Sequence, residues 1–461
     1  MFHNPNAKLE GENIIKLLKK LQHRGQDSSG IGYYCNDSIK TVKALGKVEN
    51  LEKEFLNSNI ERIKKSNIFI GHTRYATSNK SENKLNAAYP LTGDFKEFPF
   101  AFVFNGNIPE TECDAELIKN AITNNTDGTF EDALIDFMNK YKRAYNLIFI
   151  YKGVIYILRD PYGTRPLSIG VYDNSSIIVA SETVVFDEIK LVYPKYNMLF
   201  STTIHPGTLN VISDGHIRTQ DVIKLKNKAH CLFEFIYFMD KKSELKGKTI
   251  GTYRYLFGKN MARQENEYAD RDNQKKQIGL LNREKNDVVV CGIPNTAIEY
   301  GLGYAEELGY TYSQVIQKNK SSQRTFIEED NKSRNEASLK KYVYNCDEIR
   351  DKHIILVDDS IVRGITIKNI VKKIRECNPK SIHIRVGCPA IINTCNFGVD
   401  IPTQSELVRN NHLDVESVRD YFEIESLMYL SLENINDVLP LNNFCSGCMN
   451  GNYNETRELE W

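Results

Sequence analysis

Apolar and polar positions divide the chain into two regimes. In the first half, apolar runs of strand length at 67–71, 100–104, 146–151 and 154–158 are bounded mostly by Gly, Asn, Asp or Pro. Lys152-Gly153, between the last two, predicts a hairpin turn. Stretches 13–22 and 130–140 place apolar residues three and four apart and predict helices. This half reads as α+β with a large antiparallel component. The second half changes character. Buried-type strands at 287–291, 353–357 and 381–386 alternate with helical spacing, first at Leu302, Ala305 and Leu308, then at Ile367, Ile370, Val371 and Ile374. Strands alternating with helices predict a parallel α/β sheet. The polar bridge 224–229 separates the regimes, giving domains at 1–228 and 229–461.

Composition narrows the classes. The 461 residues suit two to four domains. Lys+Arg and Asp+Glu are both 60, and a net charge of zero argues against general nucleic-acid binding or membrane coating. No apolar run approaches the ~20 residues that span a bilayer. Residues 1–10 carry no basic, then apolar, secretory pattern, so a cytoplasmic protein is expected. In such a compartment the ten cysteines are expected as free thiols, catalytic groups or metal ligands rather than a disulfide framework.

The strongest chemistry is Ile355-Leu-Val-Asp-Asp-Ser-Ile-Val-Arg-Gly-Ile-Thr366. A buried strand ends in two carboxylates, Asp358 and Asp359, followed by a short loop and a helix. A helix N-terminus offers free N–H groups and the positive end of a dipole to a phosphate. The acids stand at the carboxyl end of a parallel strand, where α/β sheets bind ligands, and can take sugar hydroxyls directly or through Mg²⁺. No Gly-x-x-x-x-Gly-Lys-Ser/Thr occurs, so a P-loop is excluded. Gly301-Leu-Gly-Tyr-Ala-Glu306 mimics a dinucleotide fingerprint, but Glu306 replaces the third glycine and the segment reads as helix packing.

Val357-Asp-Asp-Ser-Ile-Val-Arg-Gly364 resembles the phosphoribosyl pyrophosphate loop of type I phosphoribosyltransferases, and more narrowly that of the amidophosphoribosyltransferase family. The likeness spans nearly the whole chain. It includes Leu21-Gln-His-Arg-Gly-Gln-Asp27, Gly71-His-Thr-Arg-Tyr-Ala-Thr77, Phe104-Asn-Gly-Asn107, Arg159-Asp-Pro-Tyr-Gly-Thr-Arg-Pro166, Ser181-Glu182, Cys231-Leu-Phe-Glu-Phe-Ile-Tyr237, Lys318-Asn319 and Arg324-Thr-Phe-Ile327. It implies an N-terminal-nucleophile (class II glutamine amidotransferase) sandwich followed by a type I phosphoribosyltransferase domain. It also implies a transferase of purine synthesis that joins ammonia, released from glutamine, to C1 of phosphoribosyl pyrophosphate with loss of pyrophosphate. By the same resemblance Asp358 and Asp359 bind ribose and Mg²⁺, Thr296 is a third metal contact, and Ser360, Arg363, Gly364 and Thr366 belong to the 5-phosphate loop. Lys318 and Arg324 belong to a closing lid. Asn295 departs from the acid that family members usually carry there, and Ala297 from a frequent Ser. Purine nucleotide feedback inhibitors and a homo-oligomer are implied as well.

On the glutamine side, Arg74 resembles the arginine that grips the α-carboxylate, and Asp127 the acid that pairs with the α-amino group. Asn105 and Gly106 resemble the oxyanion hole. The family's nucleophile is a Cys at the mature N-terminus. This chain opens Met1-Phe-His-Asn-Pro5, and its first cysteine is Cys35. Either the true start lies slightly upstream, which the retained Arg74, Asn105 and Gly106 favour, or the glutaminase is dead. Losing a covalent nucleophile costs on the order of 10⁶ in turnover, so the chain as written is expected to use ammonia and not glutamine.

Cys445-Ser-Gly-Cys448 alone is compatible with zinc, a redox pair or chance. One branch of the family carries a [4Fe–4S] cluster on cysteines in contexts like those of Cys231, Cys395, Cys445 and Cys448, and that resemblance implies such a cluster here. Cys35, Cys113, Cys291, Cys346, Cys377 and Cys388 are then expected as buried structural thiols. Two rivals stand beside this reading. One is an ammonia-only transferase. The other is a catalytically silent regulator that binds phosphoribosyl pyrophosphate.

Overall fold

The computed structural model describes residues 2–3, 11–57, 66–75, 84–108, 111, 113–225, 229–271, 284–319, 341–399, 401, 403–412, 414–439 and 444–453. The first half is built on two antiparallel sheets. One has seven strands, in the order Met198–Thr203, Ser168–Tyr172, Ile177–Ala180, Phe2–His3, Ile68–Arg74, Ser28–Cys35 and Ser38–Leu45. The other has six, in the order His216–Asp221, Thr208–Ser213, Val154–Arg159, Ala144–Tyr151, Phe98–Asn107 and Leu91–Phe95.

Alternation along the strands fixes the layers. Ile68, Ile70, Ile177 and Val179 enter the core shared by the two sheets. Their neighbours Phe69, Ile178 and Ala180 point to the opposite face, against the helices Gly11–Lys19, Val48–Asn57 and Val184–Val192. Helix Phe130–Lys140 covers the six-stranded sheet with Phe130, Leu134, Phe137 and Met138. It has the bounds its periodicity predicts. Thr129 opens it in a capping box with Asp132, each side chain accepting the other's backbone N–H. The turn at Lys152-Gly153 has both residues at positive φ, 47° and 73°, as a tight hairpin requires.

The second half holds a five-stranded sheet in the order Thr311–Tyr312, Val288–Gly292, His353–Asp358, Ser381–Val386 and Ser426–Tyr429, parallel throughout. The three central strands are those the apolar runs predict. In chain order this is 2-1-3-4-5, so the succession reverses between Val288–Gly292 and His353–Asp358, and the crevice at such a reversal is where open α/β sheets take ligands. Gly303, in helix Ile298–Leu308, lies against helix Ile250–Arg271, where an added Cβ would come within 1.9 Å of the Tyr255 carbonyl. The Gly-x-Gly run is therefore helix packing.

Two strands clasp the halves together. His230–Cys231 runs parallel to Phe444–Cys445, with Cys231 beside Cys445. Among the described residues no helix is long and apolar enough to cross a membrane. The cysteines depart from expectation at two places. Cys346 and Cys377 form a disulfide, because the short helix Cys346–Ile349 ends up beside the C-terminus of helix Ile365–Arg375 with the two Cα atoms 4.9 Å apart. Cys113, just before helix Asp114–Thr123, is exposed rather than buried.

Candidate active sites

The reversal point collects the phosphate motif. Strand His353–Asp358 delivers Asp358 and Asp359 to its carboxyl end, and strand Val288–Gly292 beside it delivers the turn through Ile293 to Thr296. Ile293 donates its N–H to the Val357 carbonyl at 2.8 Å, which stitches the two strand ends together. The Pro294–Asn295 peptide within that turn is cis. Asp359 accepts the Ser360 hydroxyl at 2.8 Å and also the Thr296 hydroxyl, while Asp358 accepts the Asp359 N–H at 3.0 Å.

Burial pushes both carboxyls above the usual range, and the Asp359 charge adds to this at Asp358. The Lys341 ammonium opposes the rise at Asp358, and Ser360 and Arg254 oppose it at Asp359. Asp359 is buried and Asp358 half-buried, so the pair is suited to a positive partner. Gly364, at φ 78°, opens the eleven-residue helix Ile365–Arg375, so its free N–H groups face the same crevice. Arg363 turns sideways to Glu406 at 3.1 Å. Lys318 lies on the two-stranded ribbon Ile316–Lys318 and Tyr342–Tyr344, whereas Arg324 lies outside the described residues. Lys341 and Tyr237 also feel these acids, and no motif in the sequence pointed to Lys341.

Arg74, Asn105 and Gly106 meet at one end of the first half. Arg74 closes strand Ile68–Arg74 and donates to the Ala87 carbonyl at 2.6 Å. His72, two residues back, hydrogen-bonds the Phe104 carbonyl at 2.9 Å, which brings this strand against Asn105-Gly106. Burial holds the His72 imidazole down at about 4, and the nearby Arg74 and Arg24 lower it too, so it is neutral at pH 7. Gly106 touches the second half directly. A Cβ on Gly398 would fall 2.6 Å from the Gly106 carbonyl oxygen, and Asn107 donates to the Asn396 carbonyl at 2.9 Å.

Asp127 does not join them, and here the resemblance misleads. Lys96, on the turn before strand Phe98–Asn107, donates to the Gly128 carbonyl at 2.7 Å, so Asp127 is held at the turn end. From there to Asn105 the strand runs about 30 Å at ~3.4 Å per residue. The loop between helices Asp114–Thr123 and Phe130–Lys140 is too short to carry Asp127 back. Cys35 is also remote. It ends the strand whose far residue, Ser28, pairs with Arg74, about 24 Å away by the same rise. Phe2 pairs with Phe69, and His3 with Ile68, antiparallel, so a chain continuing upstream in that register would run beside Gly71 to Arg74.

Comparison with known proteins decides the family. The phosphoribosyl transferase domain family matches residues 267–393. Amidophosphoribosyltransferase 2, chloroplastic, of Arabidopsis thaliana is 30% identical over 455 residues, covering 95% of this chain and 75% of that protein. The amidophosphoribosyltransferase of Rattus norvegicus is 30% identical over 465 residues, covering 93% and 85%. The chain belongs to the amidophosphoribosyltransferase family. As a member it is an enzyme of the glycosyltransferase type, with the nucleophile-type sandwich and phosphoribosyltransferase layers described above. A solved glutamine phosphoribosylpyrophosphate amidotransferase from B. subtilis, complexed with ADP and GMP, superposes with a TM-score of 0.82 at 26% identity, covering 98% of this chain and 96% of that one.

The resemblance also brings four cysteines into question. Cys231 and Cys445 stand side by side on paired strands, and Cys448 follows at the start of helix Gly447–Asn450. Cys395 accepts the Phe397 N–H at its sulfur, 3.3 Å away. Burial pushes the Cys231 and Cys448 thiols far up, and the other thiols of the four add to the rise. The donor set has the chemistry of a thiolate-bound iron site. Among the described residues, however, no group of three or more His, Cys, Asp or Glu is arranged to hold a metal ion.

Proposed function

We propose that this family member forms 5-phosphoribosylamine by replacing the pyrophosphate of phosphoribosyl pyrophosphate with ammonia, and that glutamine is the ammonia source. The observation that carries this reading is the pair of adjacent acids, half-buried Asp358 and buried Asp359, with Thr296 beside them at the reversal of the parallel sheet and facing a helix N-terminus. The acids take the ribose hydroxyls, and the loop N–H groups of Ser360 to Thr366 take the 5-phosphate. Lys318 and Arg324 are the basic groups of the lid this reading expects to close over the site. Mg²⁺ held by Asp358, Asp359 and Thr296 would supply charge neutralisation for the departing pyrophosphate. Asn295 removes one acid from that corner, so the metal rests on fewer charges.

On the other side Arg74 offers its fork of donors to the glutamine carboxylate, and Asn105 with the Gly106 N–H stabilises the oxyanion. A Cys entering along the register of Phe2–His3 would stand beside this group, and its thiol would attack the amide with its own α-amino group as base. Cys231, Cys395, Cys445 and Cys448 are the residues that would hold a [4Fe–4S] cluster, which would serve to tie the C-terminal segment to the core. Purine nucleotides are the regulators this reading expects, since the B. subtilis neighbour carries ADP and GMP. Relatives bear an enzyme's name, which favours a working transferase over a silent binding protein.

Pyrophosphate release with glutamine, with ammonia and with neither tests the proposal. Release with both glutamine and ammonia supports the whole proposal, whereas release with ammonia alone supports the transferase and overturns glutamine as the ammonia source. Binding of phosphoribosyl pyrophosphate without release under any condition would overturn it in favour of the silent regulator. Iron and sulfide analysis after anaerobic purification tests the cluster separately, and a colourless, iron-free protein counts against it.

A further inference from the structure

A cavity of about 660 Å³ lies between the two halves, apart from both sites described above. Its walls are helix Val184–Val192, strand Met198–Thr203 with the turn that follows it, and the hairpin of strands Glu244–Leu245 and Lys248–Thr249. Small molecules commonly bind in cavities of roughly 300–1,000 Å³ where domains meet. None of the residues that line this one belongs to the phosphoribosyl or the glutamine group.

The lining is cationic. Arg159, Lys190, Lys242 and Lys246 stand against two carboxylates, Asp187 and Glu244. Among the described residues none of the three lysines is in an ion pair. The hairpin turn fixes one of them, since Lys246 and Gly247 are both at positive φ, 52° and 78°, as a tight two-residue turn requires. Cations left without partners in a cleft concentrate anions there. Deeper in, Arg159 is fully buried. It donates to the Gly163 and Arg165 carbonyls, both at 2.9 Å, and to the Ile204 carbonyl, while its Nε has no hydrogen-bond partner. A buried donor left unpaired is costly and calls for a partner from outside the chain. Arg159 also lines a narrower recess of about 20 Å³ that shares Ser168, Thr203 and His230 with the cavity, room for one water.

The rest of the lining speaks to the body of the ligand. Ser201, Thr202 and Thr203 give one wall three successive hydroxyls, and Ser168, paired with Thr203 on the neighbouring strand, adds a fourth. Phe186 and Ile204 also line the cavity but are themselves buried, so they offer a flat ring little surface. Hydroxyls that both donate and accept suit a hydroxylated ligand. We propose that this cavity binds a phosphorylated sugar, with its phosphate at Lys190, Lys242 and Lys246 and its hydroxyls along Ser201, Thr202 and Thr203. The site is separate from the catalytic groups and stands independently of the reading proposed above.

Labelling of the full chain with acetic anhydride, read lysine by lysine in a mass spectrometer, tests this with ribose 5-phosphate as the probe. The readout is local, so binding of the same probe in the crevice of Asp358 and Asp359 does not imitate it. Saturating ribose 5-phosphate is expected to slow labelling of Lys190, Lys242 and Lys246 about 5-fold, with half of the effect reached at about 1 mM or below. Exposed Lys140, on helix Phe130–Lys140, is expected to label at an unchanged rate. In K242E/K246E, protection of Lys190 is expected to need at least about 10-fold more probe. K190E, read at Lys242 and Lys246, carries the same expectation should the double variant fail to fold. No protection at about 10 mM probe, equal protection of Lys140, or protection undiminished in these variants overturns the proposal. So does equal protection by inorganic phosphate, which would leave a site for any small anion. Stronger protection by AMP than by ribose 5-phosphate also overturns it, since the ligand would then be a nucleotide.

Discussion

Thr296 donates its hydroxyl to Asp359 across the boundary between two neighbouring parallel strands. A hydrogen bond to a charged group contributes about 1.5–3 kcal/mol, so T296A is expected to weaken phosphoribosyl pyrophosphate binding by roughly 10- to 100-fold. D358N and D359N remove the acids themselves and are expected to cost more than T296A in ammonia-dependent pyrophosphate release. Calorimetric titration at fixed Mg²⁺ checks the order. Parity between T296A and the two Asn variants would remove the acids from the ligand.

Arg74 and Asp127 are separated by most of the length of a strand, which predicts opposite outcomes for their variants. R74Q is expected to raise the dissociation constant for glutamate about 10- to 100-fold, the cost of a lost charged contact, and to leave the ammonia reaction intact. D127N is expected to change neither. A D127N defect equal to that of R74Q would contradict the placement of Gly128 against Lys96.

Acid lowers stability through Glu182 and His72. Burial alone raises the Glu182 carboxyl, but His23 and Arg24 more than offset this and hold it at about 2. Its contribution is complete above the unfolded value near 4.5 and is lost as pH falls toward 2. The His72 imidazole, held at about 4 from an ordinary 6.5, acts earlier, because below 6.5 only the unfolded chain takes up the proton. Urea unfolding at a series of pH values is therefore expected to show stability falling from just below pH 6.5, and more steeply below 4.5. In E182Q the second phase is expected to flatten. Stability that rises on acidification over this range would refute both assignments.

The Cys346–Cys377 bridge closes a short loop, with a sequence separation of 31, and such a loop is expected to contribute about 3–4 kcal/mol by constraining the unfolded chain. Reduction, or C377S, is expected to lower the unfolding midpoint. Reductant added to C377S is expected to have no further effect through this pair. A full thiol count in the unreduced native protein would show instead that the two sulfurs stay apart.

Much of the fold could be read from the chain because local and global signals agree there. Helix Phe130–Lys140 has a periodic apolar face and a capping box, and the central parallel strands are uninterrupted apolar runs. Helix Ile250–Arg271 was not legible. It buries Ile250, Tyr253, Phe257 and Met261, but Arg254, Asn260, Gln264 and Glu265 are buried beside them, so polar residues interrupt the apolar period in the sequence. The phosphate acids were legible because strand, acids, loop and helix are contiguous in sequence. Asp127 was not, because a short motif does not encode the end of the sheet at which it comes to rest. Arg24, Glu182 and Glu234 are distant in sequence, and only folding shows that they share charge.

The clasp between His230–Cys231 and Phe444–Cys445 gives the protein a late step in its own manufacture. Its first strand emerges from the ribosome when the second half has barely begun, and its partner when that half is nearly complete. Until then the strand itself is held by the bonds from Ala229 to Tyr162 and from Cys231 to Thr164. Long-range pairs of this kind form last, after their loop-closure cost is met. A newborn chain interrupted before Phe444 would therefore carry an open seam next to Glu234, and a protease or chaperone that recognises that seam could tell finished enzyme from unfinished.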